Sequence, residues 1–95
     1  MVELTKVNNE NWSKQSTEIR WVERDIDGMV IEIYKENPKI GYTLAIDPYE
    51  NQFQTEPITH ILESTDKVVH FKTCNEEYKL YLTKYFKEIY EKLKD

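Results

Sequence analysis

The chain is poor in the residues from which enzyme and secretory signatures are built. It holds one cysteine and two histidines in 95 residues. A single cysteine cannot close an internal disulfide, so there is no disulfide framework and nothing points to secretion. Two glycines leave no room for a phosphate-cradling loop. No Gly-x-Ser-x-Gly elbow, Cys-x-x-Cys pair or His-x-x-x-His pair occurs, which removes the usual starting points for a serine hydrolase or a zinc site. No apolar run approaches the roughly 20 residues of a membrane span. The stretch from Met1 to Trp12 lacks the apolar core of a signal peptide, so the expected location is the cytoplasm.

What is present is charge and aromatic surface. Charged residues make up 33% of the chain and aromatic residues 13%, with seven tyrosines. Aromatic rings at this density argue against disorder and can build a core where aliphatic content is low. The net charge of −5 is uneven. Residues 1–66 carry 6 basic and 13 acidic side chains, a balance of −7; residues 67–95 carry 7 and 5, a balance of +2. An acidic body disfavours a phosphate-rich partner and suits a basic protein surface, or serves solubility alone. Lysine outnumbers arginine eleven to two, and asparagine, isoleucine and tyrosine are frequent, a usage common in AT-rich genomes such as those of low-GC bacteria and their phages.

Residues 1–17 show no clear periodicity and read as a polar N-terminal arm, leaving 18–95 as a single domain. The segment "IRWVERDIDGMVIEIY" is a hairpin: Asp27-Gly28 between two alternating runs is the strongest short cue, through a turn of type I′. Val22, Ile26, Met29, Ile31 and Ile33 form the better core face, although Arg20 and Arg24 intrude on it. The opposite face carries Ile19, Trp21, Val30 and Tyr34 with Glu23, Asp25 and Glu32. In the two-residue register Glu23 faces Glu32, a like-charge pair. Further strands are expected at "IGYTLAID", "QFQT" and the β-branched run "VVHFKT". The last segment, from Asn75, predicts an amphipathic helix with Tyr78, Leu82, Tyr85, Phe86, Ile89 and Leu93 on one stripe and Asn75 as its cap. Leu80 lies off that stripe. The competing reading pairs Tyr78–Leu82 as a strand with Val68–Thr73.

The stretch "HFKTCNEEYKL", residues 70–80, is the one place that invites a catalytic reading. Residues four apart on a strand lie about 13 Å from each other, whereas a thiolate–imidazole pair needs contact near 3 Å. His70 and Cys74 therefore form neither a dyad nor a metal pair if the run is extended, and His60 adds too little for zinc. No catalytic residue, metal ligand or cofactor is assigned.

Within residues 55–80, Thr55, Pro57, Ile58, Thr73, Asn75, Tyr78 and Leu80 follow a pattern in which a Thr-Ser-Pro-Val-like start leads through a β-run to Thr-x-Asn-Ser-x-Tyr-x-Leu. Glu56 and Glu76 replace its two serines. In this respect the chain resembles small uncharacterised proteins of low-GC bacteria and their phages. The resemblance implies no activity; it favours the strand reading of residues 78–82 and points toward a mobile-element origin.

The expected fold is α+β, an antiparallel meander of four or five strands with the C-terminal amphipathic helix packed on one face. Its core draws on Val22, Ile31, Ile33, Leu44, Ile46, Val69, Phe71, Leu82, Phe86 and Ile89. The expected function is a small, acidic, non-enzymatic interaction module, of the kind that serves phages or mobile elements as an inhibitor or regulator. It would bind a basic protein surface through Trp21, Glu23, Asp25, Glu32 and Tyr34. The alternative is a nucleic-acid-binding domain that uses sheet aromatics with Lys84, Lys87, Lys92 and Lys94. Nothing in the sequence excludes a homodimer.

Overall fold

The computed structural model describes residues 2–34, 37–46 and 53–82. Nine strands run through them: β1 (Val2–Lys6), β2 (Asn9–Ser16), β3 (Ile19–Arg24), β4 (Val30–Tyr34), β5 (Thr43–Ile46), β6 (Phe53–Gln54), β7 (Ile58–Ser64), β8 (Val68–Thr73) and β9 (Glu77–Tyr81). They form two antiparallel sheets, ordered β2-β1-β9-β8-β7 and β4-β3-β5-β6. The described residues are thus all-strand, and the α+β expectation with its C-terminal helix is overturned. Tyr78 and Leu80 belong to a strand, with Phe71 opposite Tyr78 and Val69 opposite Leu80. The alternation that fits this pairing places Leu80 fully inside, where a helix stripe would have left it out. Asn75 does not cap a helix either. The Thr73 hydroxyl accepts the Glu76 and Asn75 N–H groups at 3.2 and 3.4 Å, and Thr73 N–H donates to Glu76 O, which closes a tight β8–β9 turn. Residues 83–95, which carry the rest of the expected stripe, lie outside the described residues.

The N-terminal residues read as an arm form β1 and β2. Val2 and Leu4 are buried, and β1 lies between β2 and β9. The polar sequence of β2 masked this, because an edge strand facing water needs little apolar content. Ser16 turns the chain toward the second sheet, accepting Glu18 N–H and donating to Glu18 O. The return passes through Thr55, whose hydroxyl accepts Leu44 N–H at 3.0 Å while its own N–H donates to Leu44 O. Ile58 N–H then donates to Tyr42 O, and Gly41 N–H donates to Ile58 O, so residues 55–58 stitch the two sheets together.

The inner faces share one core of Leu4, Trp21, Leu44, Ile46, Val69, Phe71, Tyr78 and Leu80 with their neighbours. Phe71 is its centre. Its ring stacks on Tyr78 (centroids 5.3 Å) and meets Trp21 edge-on (5.9 Å, 76°). Of the expected core, Val22, Leu44, Ile46, Val69 and Phe71 are buried, Leu82 is half-buried, and Ile31 and Ile33 are exposed. Phe86 and Ile89 lie outside the described residues.

Two outcomes follow from this core. Phe71→Ala removes a fully enclosed ring and should cost about 3–5 kcal/mol, read as a large fall in the urea midpoint. A change below about 1 kcal/mol would show that Phe71 is not at the centre. The second concerns Tyr78, whose phenol is pushed up to about 12 by burial, with Glu56 and Glu76 adding to the shift. An unfolded tyrosine titrates near 10. The folded state therefore keeps a proton that the unfolded state loses between those values, so stability is full below pH 10 and declines as pH rises toward 12. Tyr78→Phe should flatten that decline in urea melts at pH 9 and 11; an unchanged slope would contradict the assignment.

Candidate functional site

The 70–80 stretch is resolved first. His70 lies on β8, its Nε2 in contact with Glu77 Oε2 across the β8–β9 ladder, and Lys72 Nζ is 3.9 Å from Glu77 Oε1. Cys74 is exposed in the turn. This is a row of polar side chains paired across a sheet face. Among the described residues no three His, Cys, Asp or Glu side chains gather as a metal-holding group. A groove of about 550 Å³ lies between Ile19, Trp21, Pro38, Val69 and Leu82, with Asp66 as the one ionisable group on its lining among the described residues.

The β3–β4 hairpin has the more unusual surface. Its turn departs from the expected type I′. Asp25 O accepts Gly28 N–H, Asp25 N–H donates to Met29 O, and Gly28 takes the positive φ of 85° while Asp27 does not. The loop is therefore three residues closed by a glycine bulge. A second irregularity follows at once: Arg24 faces Val30 but Glu23 faces Glu32, so Ile31 is an extra residue on β4. Beyond it the register is regular, with Val22 opposite Ile33 and Trp21 opposite Tyr34.

These shifts decide which side chains see solvent. Trp21 is 2% exposed and points into the core, so it cannot serve as a surface anchor. Asp25 is a turn residue, its carboxylate accepting Asp27 and Met29 N–H at 2.9 Å each. Tyr34 is half-buried, stacked flat on Tyr42 (5.2 Å, 3°), and donates to Glu23 Oε1 at 3.0 Å. A hydrogen bond shared with Tyr42 and the one to Glu23 raise its pKa. Glu32 is exposed directly opposite Glu23. The structure thus brings Glu23, Glu32 and Tyr34 together, sends Trp21 inward and gives Asp25 to the turn.

Sequence reasoning missed the apolar half of this surface. Ile31 and Ile33, assigned to the core, are 57% and 54% exposed, and Ile26, Met29 and Val30 are exposed too. The signal was available in Arg20 and Arg24, which share that parity and cannot be buried without partners. Neither arginine neutralises the acidic pair. Arg20 bonds Ile19 O and Glu18, and Arg24 bonds Gly28 O and Gln54. No ion pair to Glu23 or Glu32 occurs among the described residues. The nucleic-acid alternative needed exposed sheet aromatics, whereas Trp21 is buried and Tyr34 half-buried, and its helix lysines lie outside the described residues.

Asp25→Ala should destabilise the protein by about 1 kcal/mol through loss of the turn bonds, and Asp27→Ala by much less. Equal effects in urea melts would remove the structural role given to Asp25. No family model, curated protein or solved structure matches the chain, so the reading of this hairpin rests on its own geometry.

Proposed function

We propose that the protein is a small non-enzymatic interaction module that engages a basic protein surface through the β3–β4 hairpin. The observation that carries this reading is an edge strand on which exposed Ile31 and Ile33 flank Glu32, itself set directly opposite the like-charged Glu23. Like charges set directly opposite destabilise a free hairpin, and no cation from the described residues relieves them. A partner's lysine or arginine removes that repulsion, while its apolar side chains cover the isoleucines. The acidic balance of residues 1–66 steers the same partner inward over a longer range. The resemblance of residues 55–80 to small phage and low-GC bacterial proteins points only toward a mobile-element origin; the role of inhibitor or regulator is part of the proposal.

A photo-crosslinking residue at Ile31 tests this, with Leu62, exposed on β7, as the control site. In extract of the source cells position 31 should give discrete protein adducts, and their yield should fall several-fold between about 0.05 and 0.5 M salt. Equal adducts at both sites, salt-independent adducts, or crosslinks to nucleic acid alone would contradict the reading.

A further inference from the structure

A sheet edge is a row of backbone groups open to another strand, and proteins protect such edges. Three of the four edges among the described residues are protected. β2 reads NENWSKQS, polar except for Trp12. β6 is two residues long. β7 has two irregularities in its register. The fourth edge, β4, reads VIEIY. It has no lysine or proline, and its one irregularity lies at the turn end, leaving Glu32, Ile33 and Tyr34 in regular pairing with β3.

We infer that β4 is an acceptor for strand addition. Its occupant is an extended segment of a partner protein in which lysine or arginine alternates with apolar residues. Residues directly opposite in an antiparallel pair share a face. A basic residue opposite Glu32 then lies on the face that carries both carboxylates, and its apolar neighbours fall opposite Ile31 and Ile33. Glu32 also accepts a long bond, 3.4 Å, from Ile33 N–H, which an incoming strand displaces as a basic residue takes up the carboxylate. A second copy of the chain fits worse. Antiparallel self-pairing over all of β4 sets Glu32 against Glu32 and adds a third and fourth carboxylate to one row. In strand addition the backbone bonds supply much of the affinity, and alternate side chains set the specificity.

This inference rests on the interaction reading above, and the test separates the two. A random octapeptide display library is selected against the intact protein, and the enriched peptides are synthesised and titrated by fluorescence polarisation. They should alternate apolar and basic residues. Methylation of alternate backbone nitrogens on one parity should weaken binding at least about tenfold, and methylation on the other parity should not. Glu32→Lys, an exposed substitution, should cost a similar factor and be compensated by glutamate in place of the peptide's central lysine. Peptides that depend on Ile33 and Glu32 but tolerate methylation at every position would overturn strand addition and leave the interaction reading standing. A library that yields no binder dependent on Ile33 would overturn both. A dimer at micromolar concentration that Ile33→Pro dissociates would assign the edge to a second copy instead.

Discussion

The placement of β9 between β1 and β8 is the constraint on which the rest of the structure depends. It sets Tyr78 opposite Phe71 and Leu80 opposite Val69 on one side, and Leu80 opposite Leu4 on the other. That arrangement assembles the stacked Phe71–Tyr78 pair against which Trp21 packs from the second sheet. Once Trp21 is committed inward, the parity of β3 is fixed. Ladder pairing carries this parity to β4, so Tyr34 follows Trp21 to the inner side and Ile33 follows Val22.

The surface of the hairpin is thus a consequence of the core. With two-residue alternation alone, a strand reading VIEIY would bury its isoleucines if it had a second sheet above them. Here the extra residue at Ile31 breaks the alternation, and β4 sits at the sheet's border with both of its faces largely open. Polar groups nearby are already engaged: Arg24 holds the turn and Gln54, and Tyr34 is shared between Tyr42 and Glu23. Glu23 and Glu32, set opposite each other, have no ionic partner among the described residues, and the isoleucines of β4 are left uncovered. That combination is costly in isolation, and it is what motivates the proposal of a basic, partly apolar partner.

Local signals in the sequence were read correctly where the structure they specify is local. The hairpin around Asp27-Gly28 and the strand at residues 68–73 follow from alternation and turn chemistry within about 16 residues. The Glu23–Glu32 opposition expected of a two-residue turn arises here by another route, because the extra residue Ile31 offsets the three-residue loop. The turn type differed because a three-residue loop with Gly28 in the positive-φ region satisfies Asp25 at both backbone groups. What was not legible was non-local. Residues 76–82 fit a helical stripe and a strand about equally. The choice was made by β1, whose Glu3 pairs with Tyr81 from the other end of the chain. The arm reading of residues 1–17 missed β1 and β2 for a related reason, since β1 is held between its local neighbour β2 and β9 from the other end of the chain. The core face of β3 was ambiguous because both parities carry apolar residues. Packing on Phe71 settled it in favour of the parity holding the larger ring.

Amide hydrogen exchange across the free protein tests the open edge of β4 most directly. An uncovered edge predicts that outward-facing amides within Val30–Tyr34 exchange near the rate of loops, while β8 and β9 exchange only through global opening. Protection of every β4 amide to the level of β9 would show that the edge is already paired, and would contradict its proposed role as a binding strand.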